Sequence, residues 1–234
     1  AFQHYTRIVA RQIESVLEAL YSTPAGKNTI VIVLADHGDG MGSHRMVTKQ
    51  VSFYEEMTNV PFIIAGPGIH PRQKPVEDLL TQPTIDLLPT LCELAGIPVP
   101  SSKPGISLAP FLKGEKQKRQ HPYAASEWHS EYEVTVSPGR MIRSPRYKYT
   151  HYLEGNGEEL YDMLKDKGER RNLAHDPKYS KILAEHRALL DDYIHRTQDD
   201  YRSLKVEADK RWRSHAPGYP NHEGPCARDI INRK

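Results

Sequence analysis

The sequence has few cysteines and no long hydrophobic run. Only Cys92 and Cys226 occur among 234 residues, so this chain alone cannot assemble a disulfide framework or a cysteine-based zinc site. The longest apolar stretch, Thr29 to Ala35, is far shorter than the roughly 20 residues that cross a bilayer. The N-terminus also lacks the charged and then apolar pattern of a signal peptide. We therefore expect no membrane span, and the sequence leaves the redox compartment open.

An excess of charge of one sign is lacking as well. The 32 basic and 30 acidic residues give a net charge of +2, which offers no general electrostatic reason to bind nucleic acid or a membrane surface. A short basic run at residues 113–119 is best interpreted as the solvated face of a linker. With 38% hydrophobic and 26% charged residues, the composition is that of an ordinary globular protein.

The first residues already belong to an amphipathic helix. Apolar side chains recur at three- and four-residue spacing from Phe2 to Leu20, and the helix is predicted to end near Thr23. We expect that a preceding part of the protein is missing. Its absence would leave a sheet edge and apolar helix faces uncovered, so we also expect association with the absent half or with a second copy.

A continuous β-branched run indicates the fold class. Thr29 to Ala35 shows no alternation, which is typical of a strand buried on both faces of a parallel sheet. A second strand is predicted at Val60–Ala65, and a helix from Pro83 to Ala95 with Gly96 as its stop. The predicted class is α/β.

The pattern of apolar and aromatic residues changes in the later half of the sequence. Short aromatic and branched segments at hairpin spacing predict a small antiparallel sheet: Tyr123–Trp128, Glu133–Val136, Gly139–Ile142, Tyr147–Leu153 and Glu159–Met163. A helical stripe within Lys178–Arg196 would pack on one face of it. We therefore predict an α/β domain at 1–119, a small antiparallel subdomain at 120–198 and a polar, surface-wrapping tail at 199–234.

The first candidate for chemistry follows the first strand. Asp36 and His37 place a carboxylate and an imidazole at the carboxyl end of a strand, where open α/β sheets hold ligands. Gly38 and Gly40 let the backbone approach closely there. A calcium ion needs six to eight oxygen ligands, so this pair supplies at most part of a metal site. The alternative is a turn in which Asp36 caps backbone amides.

A lysine lies thirteen positions further along, in a polar loop. Lys49 is a compact positive charge suited to a tetrahedral anion if it points into the site. The alternative is a solvated surface lysine.

The order and spacing of these segments resemble the sulfatases of the alkaline-phosphatase superfamily. The resemblance extends roughly from Tyr5 to Arg196. It is carried by Asn28–Asp39, Gly42-Ser43-His44, Lys49-Gln50, Tyr54–Ile64, Gln82–Thr90, Gly105–Leu108, Arg143 with Tyr147–Tyr149, and Glu159–Asp162 with Asn172–Ala174. It implies part of an alkaline-phosphatase-like sandwich, followed by the small antiparallel sheet and helix.

The resemblance also implies roles for five side chains. Asp36 is expected to ligate calcium, and His37 to complete that shell or contact the sulfate. Lys49 is expected to hold a sulfate oxygen and stabilise charge as the ester bond breaks. His44 would line the pocket or donate a proton, although such a histidine more often orders its own loop. His129 would belong to a substrate wall.

One landmark of the family is absent. Sulfatases use a formylglycine made within a Cys/Ser-x-Pro-x-Arg motif, and neither cysteine of this chain lies in such a motif. The nucleophile and the remaining calcium carboxylates would come from a preceding part, so this chain alone is expected to be inactive. The substrate implied is a sulfate ester of a sugar, in a periplasmic or secreted enzyme. The alternatives are a phosphodiesterase or phosphonate hydrolase of the superfamily, or a non-catalytic anion-binding fragment.

Overall fold

A computed structural model describes residues 2–46, 52–77, 79–101, 104–116, 120–128, 138–153 and 157–204. The chain forms two compact units. One comprises Ala1–His37 and Val60–His121, and the other comprises Gly38–Asn59 and Pro122–Lys234. The chain therefore leaves the first unit directly after His37 and returns to it at Val60.

Five helices and six strands are defined in the described ranges. The helices are α1 (Phe2–Tyr21), α2 (Glu55–Thr58), α3 (Pro83–Leu94), α4 (Ala109–Leu112) and α5 (Ser180–Thr197). The strands are β1 (Val31–Leu34), β2 (Phe62–Ala65), β3 (Ala124–Trp128), β4 (Gly139–Arg143), β5 (Tyr147–Tyr152) and β6 (Gly157–Asp162). None of the described helices is long and apolar enough to cross a membrane.

The predicted first helix is confirmed. α1 runs from Phe2 to Tyr21, and a 3₁₀ turn at Pro24–Asn28 leads into β1. Several of its apolar side chains remain exposed, among them Tyr5 at 64% and Val16 at 67%. An amphipathic helix normally packs its apolar stripe against another element.

The predicted parallel pairing of the first strand is wrong for the pair that the structure describes. β1 pairs antiparallel with β2, with Val31 opposite Ala65 and Leu34 opposite Phe62. The side chains from Val31 to Val33 are only partly buried, and Leu34 is exposed. A continuous apolar run indicates that both faces of a strand can be covered, but it does not determine the direction of the neighbouring strand.

A buried carboxylate fixes α3 to the following segment in the first unit. Asp86 is fully buried and accepts hydrogen bonds from the backbone nitrogens of Gln82 and Ile106, both at 2.8 Å. His121 Nε2 lies 2.8 Å from the same carboxylate. Thr90 adds a further link, because its hydroxyl accepts from the Leu108 nitrogen at 2.9 Å. The segment after α3 is thus anchored to the helix at Ile106, Leu108 and His121.

The second unit is built on the predicted antiparallel sheet, in the order β3-β4-β5-β6. One face, including Ile142, Tyr149 and Leu160, packs against Leu183 and Leu190 of α5. The helix on one face is therefore confirmed. The predicted strand at Glu133–Val136 lies outside the described residues.

The other face of this sheet is covered by residues 52–58. Phe53 packs with Met141 and Tyr152, while Tyr54 packs with Tyr161. Alternation along each strand sends successive side chains to opposite faces, so the central strands are buried on both sides. The second covering layer comes from a segment nearly 90 positions earlier in the sequence.

His186 of α5 is buried in a hydrogen-bonded arrangement that its neutral form can satisfy. Its Nδ1 lies 2.8 Å from the Ile182 carbonyl, which can only accept, and its Nε2 lies 2.9 Å from the Ser144 hydroxyl. The Tyr147 ring packs edge-on against it. Burial lowers the pKa of His186 below its ordinary value of 6.5, while the carbonyl and Glu185 oppose that change.

This environment predicts a stability that depends on pH. The unfolded chain binds a proton at His186 more readily than the folded chain does, so the stabilisation is complete above about pH 6.5 and is lost as the pH falls toward the lower folded pKa. Thermal melting of wild type and His186→Gln between pH 5 and 8 checks this. We expect the mutant curve to be flatter below about pH 6.5, and parallel curves would contradict the prediction.

Candidate functional site

Asp36 and His37 follow β1 directly, at the carboxyl end of the strand. The Asp36 side chain is 88% exposed and that of His37 is 44% exposed. Asp36 Oδ1 accepts a hydrogen bond from the His37 backbone nitrogen at 2.9 Å, and Oδ2 lies 3.6 Å from His37 Nε2. The carboxylate therefore makes the local turn contact that the sequence allowed, and it presents an accessible oxygen and a neighbouring imidazole to a ligand.

Glycine is required at position 38 because the backbone of Glu56 lies very close to it. A Cβ placed on Gly38 would lie 1.8 Å from the Glu56 carbonyl oxygen, and the Gly38 nitrogen donates to the Met57 carbonyl at 2.9 Å. Only glycine fits this distance, because a real Cβ cannot come so near a carbonyl oxygen. This confirms the predicted reason for a glycine after His37.

His44 lies in a segment with unusual backbone angles. Met41, His44 and Arg45 have positive φ values of 47°, 47° and 62°, and Gly42 between them has 98°. Each non-glycine residue in such a conformation costs on the order of 1–3 kcal/mol and persists only when its surroundings fix it. Backbone strain of this kind clusters at functional sites, which keeps His44 a candidate.

Several contacts hold this segment. The Gly42 nitrogen donates to the Met46 carbonyl at 2.6 Å, and the Ser43 hydroxyl donates to the Glu56 carboxylate. The His44 ring stacks on the Tyr54 ring with centroids 3.7 Å apart and planes 2° apart. The half-buried His44 thus makes the loop-ordering contact that the alternative interpretation proposed.

Two predicted site residues, Lys49 and His129, lie outside the described residues. The positions that flank the Lys49 segment are described. Met46 is fully buried and Ser52 nearly so, and the Ser52 hydroxyl lies 3.2 Å from Met46 Sδ. The two ends of the segment that carries Lys49 are therefore held together in the second unit.

The described candidates are divided between the two units. Asp36 and His37 belong to the first unit, and His44 belongs to the second. Within the ranges that the structure covers, no group of three or more histidine, cysteine, aspartate or glutamate side chains is arranged to hold a metal ion. Asp36 and His37 are accordingly two ligands at most.

A buried charged cluster in the second unit was not predicted from the sequence. Lys148 Nζ lies 2.6 Å from Glu55 Oε1, 2.9 Å from Glu169 Oε1 and 2.9 Å from the Phe53 carbonyl. The side chains of Lys148 and Glu169 are each 1% exposed. The local sequence pointed the other way, since a lysine that alternates with core-facing aromatic residues along a strand is expected on its solvent side.

The charges of this cluster shift the pKa values of its members. Burial alone would raise the pKa of Glu55, but the nearby Lys148 holds it below its ordinary value. Burial raises the pKa of Glu169 despite Lys148 and the Glu55 amide. Burial lowers the pKa of Arg143, although the charges of both carboxylates act to raise it. The cluster thus places two basic side chains, Lys148 and Arg143, beside the two acidic ones.

Comparisons with known proteins identify the class to which this fold belongs. A family model described as "N-sulphoglucosamine sulphohydrolase, C-terminal" matches residues 42–196. A curated relative, the Delta 4,5-hexuronate-2-O-sulfatase of Bacteroides thetaiotaomicron, is 76% identical over all of this chain and 49% of its own length. The solved structure of a 2-O GAG sulfatase superposes with a TM-score of 0.88 at 76% identity, over 98% of this chain and 50% of that chain.

A more distant neighbour is also informative. The phosphonate monoester hydrolase of Silicibacter pomeroyi superposes with a TM-score of 0.69 at 27% identity, over 82% of this chain and 40% of that chain. The architecture is thus an alkaline-phosphatase-like α/β fold with a small antiparallel sheet, as predicted. The chain belongs to the sulfatase family, whose C-terminal part it represents. It spans about half the length of the 76% identical relative.

Proposed function

We propose that this chain forms the C-terminal half of an enzyme that removes the 2-O-sulfate from a hexuronate residue of a glycosaminoglycan-derived sugar. The observation that carries this proposal is the 76% identity, over the entire chain, to a relative with that named activity. Identity at this level over the whole chain favours the same substrate class over a shared fold alone.

Asp36 and His37 would form one edge of a calcium site. The exposed Asp36 carboxylate suits a hard cation, whereas the imidazole of His37 suits calcium less well than an oxygen ligand does. Because calcium takes six to eight oxygen ligands, this pair would supply only part of the shell, and the other carboxylates would come from the N-terminal half. Calcium, when bound, neutralises charge on the sulfate oxygens.

Lys49, His44 and His129 would act on the substrate itself. Lys49 would hold a sulfate oxygen and stabilise negative charge as the S–O bond breaks, a role that suits a compact ammonium group. His44 would donate a proton to the leaving alcohol or line the pocket beside it. His129 would contact the sugar. The nucleophile would be a formylglycine of the N-terminal half, which we propose as the intramolecular partner of this chain.

A chimera tests the proposal. The N-terminal half of the Bacteroides thetaiotaomicron relative, joined to this chain and produced with a formylglycine-generating enzyme, is assayed on an unsaturated disaccharide with a 2-O-sulfated hexuronate. We expect sulfate release by the chimera and none by this chain alone. Substitution His44→Ala in the chimera is expected to lower kcat/KM by about 10²- to 10³-fold, as for loss of a catalytic proton donor.

The same assay separates the rival activities. Phosphonate monoesters and simple aryl sulfates are offered to the same chimera at equal concentration. A preference for the phosphonate would overturn the sulfatase assignment, whereas a preference for the aryl sulfate would overturn only the choice of sugar. Absence of any hydrolysis, with sulfate binding retained, would favour a non-catalytic anion-binding chain.

A further inference from the structure

Lys148 is bonded to both residues that flank Tyr54. Its ammonium group lies 2.9 Å from the Phe53 carbonyl, 2.6 Å from the Glu55 carboxylate and 2.9 Å from the Glu169 carboxylate. The ammonium group thus donates one hydrogen bond, to the Phe53 carbonyl, and forms ion pairs with the two carboxylates. The geometry therefore fixes the chain on either side of Tyr54 from a single point on β5.

Tyr54 in turn fixes His44. The Tyr54 side chain is almost fully buried and packs with Met46, Met57 and Tyr161 on the sheet. Its ring lies flat against the His44 ring at 3.7 Å. His44 has a left-handed backbone conformation, so it needs such an external restraint to keep its orientation.

Glu169 completes this arrangement from a separate turn. Its Oε2 accepts from the Glu55 backbone nitrogen at 2.6 Å, and its Oε1 faces Lys148. Lys148 thus holds the side chain of Glu55, and Glu169 holds its main chain. A buried ion pair is weak evidence for stability by itself, so we assign these charges an ordering role.

We propose that Lys148 is a positioning residue that sets the orientation of His44 through Tyr54. The structural part of this inference stands on the contacts between Lys148, Tyr54 and His44. Its consequence for catalysis rests on the proposed function of His44. The small antiparallel sheet is then a scaffold of the sulfatase site rather than a separate appendage.

Histidine Cε1–Hε1 NMR spectra of the chimera test the structural part. The stacked Tyr54 ring shifts the His44 signal, which is assigned with His44→Gln. We expect this shift to disappear in Tyr54→Leu and in Lys148→Met, and to persist in Leu190→Ala, which destabilises the opposite face of the same sheet. An unchanged His44 signal in folded Lys148→Met would overturn the inference.

Lys148→Met leaves two carboxylates without their partner, so a second variant guards against its failure to fold. Glu55→Gln is the second variant, because its side chain is 26% exposed and the amide keeps the size of the group. We expect the His44 signal to shift in the same direction as in Lys148→Met, by a smaller amount. No shift in Glu55→Gln, with the fold intact, would equally contradict the proposal.

A double-mutant cycle tests the consequence for catalysis. Lys148→Met is expected to lower kcat of the chimera about 10-fold with little change in KM, and to have no further effect when His44 is already alanine. If the effects of the two substitutions on kcat multiply in the double variant, Lys148 acts only on stability or on the fraction of active enzyme. If the unmodified chimera is inactive, the proposed function fails, but the NMR comparison still decides whether Lys148 orders His44.

Discussion

Substitution of Asp36 by asparagine is expected to remove calcium binding and most of the activity of the chimera. Asparagine keeps the size of the side chain and a carbonyl oxygen that can still accept from the His37 nitrogen, so the turn after β1 should persist. It removes the negative charge, on which the affinity of an oxygen site for calcium depends. Because loss of an outer-shell partner already costs about 10- to 100-fold, we expect at least about a 100-fold loss of calcium affinity for this direct ligand.

Calorimetric titration of calcium, with and without sulfate, measures this effect. Asp39→Asn is the matched control, since it removes the same charge from an exposed aspartate three positions later. We expect the control to bind calcium nearly as wild type does, and kcat/KM to follow calcium occupancy in both variants. Equal losses in the two variants would mean that only the general negative charge of this loop matters, and that Asp36 is no ligand.

The parts of the fold that depend on local sequence could be predicted. The apolar spacing of α1, the start of α3 at Pro83 and the short strand segments β3 to β6 are each encoded in local sequence patterns, and the structure confirms these elements. The glycine after His37 was also predictable, because a strand that ends in a ligand-bearing turn needs a close backbone approach.

Features that depend on distant partners could not be predicted. The direction of the strand beside β1 is not encoded in its own apolar run, and parallel pairing was predicted where the structure has β2 antiparallel. Lys148 contacts Phe53, a residue 95 positions away, so no local pattern shows that this lysine is buried. The left-handed His44 depends on stacking against Tyr54, which a propensity for turns does not specify.

The grouping of residues 38–59 illustrates the same limit. Sequence reasoning placed them with the first 119 residues, because they follow a strand of that region. Their contacts group them with the later sheet instead. Phe53 and Tyr54 look like core residues in either case, and apolar character alone does not identify the surface against which a side chain packs. His44 is therefore held by residues that follow it by about ten positions and by a sheet encoded 100 positions later.

Substitution of Arg140 by methionine is expected to destabilise the small sheet by about 3–5 kcal/mol, the usual cost of breaking a buried ion pair from one side. Arg140 is 2% exposed and forms two bonds to Asp199, at 2.6 and 2.9 Å. It also donates to the carbonyls of Trp128 and Gly139 and lies over the Tyr201 ring. These contacts fasten residues 199–203, the start of the predicted polar tail, to β4. The tail from residue 205 onward lies outside the described residues.

Hydrogen exchange of the β4 and β5 amides in the chimera measures this loss locally, without requiring that the whole enzyme unfold in one step. Arg171→Met is the matched control, because Arg171 is 73% exposed in its pair with Asp176 and should cost about 0–1 kcal/mol. Replacing Asp199 by leucine together with Arg140→Met removes the unpaired charge, so the double variant should regain part of the loss. Equal protection in Arg140→Met and Arg171→Met would show that the Arg140 pair contributes no more than a surface contact.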